Sequence, residues 1–200
     1  MLPRPVLLTA LLIALTWSGW QKWSSRPAHP PDGQIAEHDP LQTDVHSAPA
    51  VKHGRWTLTP RAGYDITARV LGREPYSFDA LADLIPEDLA LGWGPMSDNR
   101  VLATLDISQS ARFYTWRPHA KLAISRDEVT THSANTHVIP IDARVQKQLA
   151  RLRVGEVVHI TGTLVDATRD DGASIRTSLT RTDSGAGACE VLLVESVELQ

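Results

Sequence analysis

Val154-Gly155-Glu156-Val157-Val158-His159-Ile160-Thr161-Gly162-Thr163-Leu164-Val165-Asp166-Ala167 is the stretch that decides the fold of this 200-residue chain. Val158, Ile160 and Leu164 fall on one face at a repeat of two, with His159, Thr161 and Thr163 on the other, as in a strand with one buried side. β-Branched residues dominate, and they suit a pleated, half-buried surface. Gly162 interrupts the inward face, where a missing side chain lets a strand coil or another backbone approach. A long coiled strand of this kind is the spine of a small barrel. His159, on the outward face, reads as a solvated histidine.

The flanks extend the pattern. Before the spine, Asp142 caps a helix whose stripe is Val145, Leu149 and Leu152, and Gly155 follows its end. After it, Arg169-Asp170-Asp171-Gly172 reads as a hairpin turn, with residues 174–181 returning antiparallel. Residues 188–198 form a last strand, apolar on both faces and so covered on both sides. Upstream, Trp56-Thr57-Leu58 is a short strand, Pro60 and Gly63 break it, and Tyr64–Leu71 alternates as a second. Phe78, Leu81, Leu84 and Ile85 have helical spacing, and Pro86-Glu87-Asp88 reads as the start of another helix running to Gly92. Residues 101–107 fit helix or strand. Arg112–Arg117 and Val138–Pro140 are strand-like. The expectation is a mainly β (β-rich α+β) domain over 55–200, a small, partly open OB-like barrel of about five to seven strands with short inserted helices.

Composition bounds the rest. The 42% hydrophobic content supports a core, and a net charge of -3 gives no footprint for nucleic acid. Cys189 is the only cysteine, which excludes an internal disulfide and a cysteine-based metal cluster. Arg4 precedes an apolar run extending from Val6 to Trp20, with Trp17, Trp20 and Trp23 gathered at its end as at a headgroup boundary. Residues 1–22 therefore read as a signal anchor, or failing that a signal peptide. Residues 23–54, rich in Pro, His, Ser and Asp, read as a disordered linker. The implied address is the bacterial inner membrane, crossed once by residues 6–20, with the C-terminal domain in the periplasm.

Three groups of residues carry candidate chemistry. Cys189 needs a base within reach to become a nucleophile, and His137, His132 and His159 are available. Ser184–Ala188 leads into it with backbone N–H groups suited to an oxyanion. The alternative for the thiol is burial as an inert side chain. His132 and His137 flank Asn135, but two histidines are an incomplete metal site unless Asp98 or Glu190 joins them, so no metal or cofactor is expected. Trp93 and Asp98 lie in a turn-rich loop that suits a ligand pocket, or Trp93 plugs the barrel and Asp98 caps the next element. Arg176, Ser178, Arg181, Asp183 and Glu190 surround a glycine-rich loop and either hold an anion or form surface ion pairs. The ligand-binding candidates are thus Trp93, Asp98, Asn135, His137, Arg181 and Glu190.

The blocks Leu91–Asp98, Asn135–Pro140 and Arg181–Glu190 together resemble uncharacterised exported or membrane-anchored proteins of Gram-negative bacteria, over most of Tyr64–Glu198. That resemblance implies an envelope location and transfers no catalytic residue. The segment 142–167 resembles part of an OB-type barrel, a fold with many functions. The leading expectation is a non-enzymatic binding or assembly module of the envelope, its partner another envelope protein or a small anionic ligand. The alternative is a Cys- or metal-dependent hydrolase using Cys189 or His132/His137.

Overall fold

The computed structural model describes residues 26–45, 48–182, 185 and 187–200. The apolar run at residues 6–20 lies outside the described residues. Among those described, no helix is long and apolar enough to cross a membrane.

The chain is mainly β, and its longest strand is Trp56–Pro75 (β3, after the short β1 Leu41–Asp44 and β2 Val51–His53). The expected break at Pro60–Gly63 does not occur. The strand runs through it because the register against its partner shifts between Pro60 and Ala62, and a bulge takes up a proline that has no N–H to give. A second shift lies between Val70 and Gly72. These shifts bend β3, so one strand pairs with two neighbours. Tyr64, Ile66, Ala68 and Val70 point inward and are buried, as their alternation implied.

Five strands close on one another. β3 pairs antiparallel with β4 (Glu87–Gly92), β4 with β7 (Ser133–Pro140), and β7 pairs parallel with β10 (Glu190–Leu199). β10 then pairs antiparallel with β8 (Val157–Arg169), and β8 returns to β3 from Trp56↔Arg169 to Arg69↔Val157. Closure removes the open edges on which strands associate. Gly162 has the role its position suggested: a Cβ there would lie 2.1 Å from the Leu193 carbonyl oxygen, so β8 and β10 close only around a glycine. Val145 and Leu149 of helix Ala143–Leu149, with Leu152 beyond it, join the interior; Asp142 Oδ1 accepts from the Val145 N–H at 2.8 Å as its cap.

Several local expectations are corrected. Residues 86–92 are not a helix but β4, all six residues buried in mid-sheet. A strand covered on both faces lacks polar alternation, so its apolar run fits either period. Residues 77–84 are turns, and Phe78 is exposed. Residues 101–107 divide between a short helix α1 (Asn99–Leu102) and strand β5 (Leu105–Ser110). The helix α2 (Arg126–Thr131), closed by a Ser125–Glu128 capping box, was not foreseen; Ala143–Leu149 is therefore α3. The hairpin return is only β9 (Ser174–Ile175), since from Thr177 the backbone turns to Asp166 and Cys189 instead.

The linker expectation is also corrected for the described part of residues 23–54. Ala28 N–H bonds Val154 O at 2.7 Å, Ala36 is buried, and Gly94 N–H bonds Ala36 O at 2.7 Å. β1 and β2 both pair with β3. The composition holds too little apolar surface for a core of its own. The segment is ordered by backbone hydrogen bonds to edges the barrel already presents.

The outside of the ring is covered in two places. One cluster packs Trp56, Leu84, Ile85, Ile139 and Val191, and the other packs Leu71, Ala90, Met96, Val101 and Val129 beneath the hairpin of β5 and β6 (Phe113–Pro118). Between them lies a strip of buried polar side chains.

Candidate functional site

Strand register builds that strip. Asp88 of β4 is the direct partner of His137 on β7, and Ala90 is the partner of Asn135. With Leu89 and Leu91 in the barrel core, Asp88 is turned to the outer face. Asn135 and His137 share that face at a spacing of two. β10 runs parallel to β7 with Glu190 beside Thr136, so Cys189 arrives just ahead of the strand, next to Asn135. Three adjacent strands therefore deliver a carboxylate, an imidazole and a thiol to one place.

The contacts form a line. Asp88, fully buried, accepts from His137 Nδ1 at 2.8 Å. The Cys189 sulfur lies close enough to act on the same ring. Burial is the largest influence on His137 and disfavours the imidazolium. The Asp88 hydrogen bond, the hydrogen bond to Cys189 and the negative charge of both partners together outweigh it, and the ring is pushed up to about 9. The favoured state of the ring is therefore the imidazolium, braced on one side by a buried carboxylate and lying beside the Cys189 sulfur.

Two further side chains hold the line in place. Asn135 Nδ2 lies 3.3 Å from Asp88 Oδ2, 3.2 Å from Arg112 O and 3.7 Å from Cys189 Sγ, and its carbonyl accepts from Gln109 Nε2 at 2.8 Å. Arg112 Nη1 donates to Asp88 Oδ1 at 3.1 Å, its Nε and Nη2 grip Asp79 at 2.9 and 2.8 Å, and its guanidinium lies 3.7 Å above the Tyr76 ring. Asp79 is held below the usual carboxylate range, chiefly by the hydrogen bond from Arg112. Arg112 and Ala111 form the two-residue tip between β5 and β6, with φ of +70° and +50°. Left-handed backbone at two successive non-glycine residues costs about 1–2 kcal/mol each. Side-chain bonds made by one of them to Asp88 offset that cost, which is the pattern of strain kept at a functional site.

Cys189 is half-buried and opens into a cleft of about 350 Å³ between β6, the start of β7, Gly185 and Ala188. That volume is at the small end of the usual ligand-site range.

The remaining expected residues go elsewhere. Trp93 is buried in the barrel core with its Nε1 donating to Asp39 at 2.9 Å. Asp98 caps α1 by accepting from Arg100 N–H at 2.8 Å, and it lines none of the thiol cleft. Arg181 pairs with Glu190, which is 1% exposed, and lies 5.6 Å from the Tyr64 ring and 5.7 Å from Trp93. This is an internal ion pair rather than a surface one. Arg176 is exposed, and Asp183 lies outside the described residues. His132 bonds the Glu128 carbonyl at 2.9 Å as the end of α2, and His159 bonds Asp65 at 2.8 Å on the surface. Among the described residues no group of three or more His, Cys, Asp and Glu side chains is arranged to hold a metal ion. Asn135, His137 and Cys189 thus come together; Trp93 joins Arg181 and Glu190; Asp98 joins neither group.

Sequence reasoning missed Asp88, Arg112 and Gln109. Asp88 was read as an acid favouring a helix N-terminus. The signal that would have found it is Leu89 and Leu91 at a repeat of two in a segment too short for a helix, which leaves Asp88 on the opposite face. No protein-family model, curated protein or solved structure matches the chain.

Proposed function

We propose that this chain is a cysteine-dependent acyl-transfer enzyme, a hydrolase or transferase, built on an OB-type barrel. The observation that carries the reading is the buried Asp88–His137 hydrogen bond with the Cys189 thiol beside the ring and opening into a cleft. The barrel order supports the fold assignment: in chain order its strands pair 1-2-3-5-4-1, the third and fifth are parallel, and a helix joins the third to the fourth. Such barrels host many functions, so the reaction is argued from the side chains.

The Cys189 thiolate attacks the carbonyl carbon of an ester, thioester or amide. A C–S bond forms and the carbonyl π electrons move to oxygen. Asn135 Nδ2, 3.7 Å from the sulfur, is a side-chain donor for that oxygen. As the carbonyl re-forms, the bond to the leaving group breaks and the His137 imidazolium supplies its proton. The neutral ring then takes a proton from water or an acceptor nucleophile, which attacks the thioester and releases the thiolate. Asp88 holds the ring in one orientation and stabilises its charged form, the part a buried carboxylate has in such triads. Arg112 positions Asp88. A non-enzymatic binding or assembly module of the envelope would not call for this arrangement.

The proposed address is the inner membrane with the domain in the periplasm, supported by the apolar run and tryptophan cluster of residues 6–20. Alkaline phosphatase fused after Gln200 is expected to be active there, whereas activity only of a cytoplasmic reporter at that place would overturn it. For the chemistry, a p-nitrophenyl ester and an alkyl thioester are offered to the full chain. Turnover is expected to vanish in Cys189→Ala and to fall ~10²-fold or more in His137→Ala. Turnover that survives both substitutions would refute the triad.

A further inference from the structure

The cleft beside Cys189 has an unusual wall. Phe113, Tyr114, Thr115 and Trp116 line it in succession. Alternate side chains of a strand go to opposite faces, so four consecutive residues can line one cleft only along the strand's backbone edge. Among the described residues β6 pairs with β5 alone, and β5 packs on its other side against β3. Among the described residues the cleft edge of β6, which lies near β7 without pairing with it, is therefore open, in a molecule whose barrel has closed its own edges.

The register shows which groups that edge presents. β5 and β6 meet through the two-residue tip Ala111–Arg112, with Ser110 opposite Phe113. In such a hairpin the flanking pair exchanges both its backbone hydrogen bonds, and bonded and non-bonded pairs then alternate. Phe113, Thr115 and Arg117 are turned toward β5. Tyr114 and Trp116 direct their N–H and C=O groups away from it, into the cleft. Their side chains are anchored: both pack in the cluster beneath the hairpin, and Tyr114 Oη donates to Ser133 Oγ at 3.3 Å. A fixed row of donor, acceptor, donor and acceptor thus runs beside the thiol.

We infer that the substrate is an extended peptide segment that adds as a strand to the open edge of β6 and presents a backbone carbonyl to Cys189. The inference rests on the acyl-transfer reading and names its substrate class. A peptide backbone is the ligand whose own alternation of N–H and C=O matches such an edge. Ester or thioester substrates lacking that alternation would leave Tyr114 and Trp116 unpaired.

The test uses the full chain and four reagents: iodoacetamide, a tetra-alanyl chloromethyl ketone, and two forms of that ketone N-methylated on alternate amides. Each alkylates Cys189, the single cysteine, with loss of halide, and mass spectrometry follows the rate. The expected result is that one N-methylated form reacts ~10-fold or more slowly than the parent, having lost the edge hydrogen bonds. The other is expected to stay within about twofold, because its methyl groups face away from β6. Equal rates for both methylated forms overturn strand addition, whether they match the parent or fall together. The acyl-transfer reading then still stands if iodoacetamide labels Cys189 faster than free cysteine and His137→Ala removes that advantage. If iodoacetamide and all three ketones react no faster than with free cysteine, the nucleophile itself is refuted.

Discussion

Replacing Asp88 with asparagine keeps the size and planarity of the side chain while removing the charge behind His137. The exchange leaves an acceptor for His137 Nδ1 and leaves Arg112 its two bonds to Asp79 and one to Ile85 O. The hairpin tip is therefore expected to stay in place and the fold to survive. What changes is the imidazolium. Its position at about 9 depends on Asp88 and Cys189 overcoming burial, the largest influence and one the substitution does not relieve. A return from about 9 to the ordinary 6.5 is worth ~3 kcal/mol, or a ~10²-fold fall in the equilibrium constant for forming the imidazolium. NMR titration of the His137 ring protons between pH 5 and 10 reads that constant directly. In the native protein the ring is expected to keep its proton up to about 9. In Asp88→Asn it is expected to lose the proton near or below the ordinary 6.5. Catalysed acyl transfer is expected to drop ~10²–10⁴-fold, the range seen when a triad carboxylate loses its charge. If the His137 titration in Asp88→Asn superimposes on that of the native protein, Asp88 does not support His137 and the triad argument collapses.

Further outcomes follow from the same contacts. His137 is raised in the folded chain above its unfolded value, so its contribution to stability is complete below about 6.5 and lost as pH rises through about 9. Thermal melting should show a decline across that window which is smaller in His137→Gln; an identical decline in both proteins would assign it to other groups. Ala111→Gly relieves a left-handed residue at the hairpin tip and is expected to stabilise the chain by about 0.5–1 kcal/mol in urea titration. A destabilised Ala111→Gly variant would mean that the tip carries no strain. Gly162→Ala, whose Cβ would meet the Leu193 carbonyl oxygen at 2.1 Å, is expected to cost about 3 kcal/mol by forcing β8 and β10 apart. An unchanged urea midpoint would show that closure tolerates the side chain.

The sequence alone determined the elements whose period is set by one buried face. The alternation in Val158–Leu164 and Tyr64–Val70, the interrupting Gly162 and the capped, striped helix after Asp142 were legible because each is a local consequence of burial on one side. His137, Asn135 and Cys189 could be singled out by chemistry, since a lone thiol and a histidine next to an amide are conspicuous in any fold. What the sequence could not settle was partnership. Asp88 lies 49 residues from His137 along the chain, and only the β4–β7 register brings the two to 2.8 Å. Arg112 reaches Asp88 only because a strained hairpin tip lies over β4. The strap formed by the described part of residues 26–54 looked too polar to order, yet it is held by edges that exist only once the barrel has formed. Periodicity is a property of one segment, whereas a catalytic line is a property of strand register, and register is fixed by the packing of strands far apart in the chain.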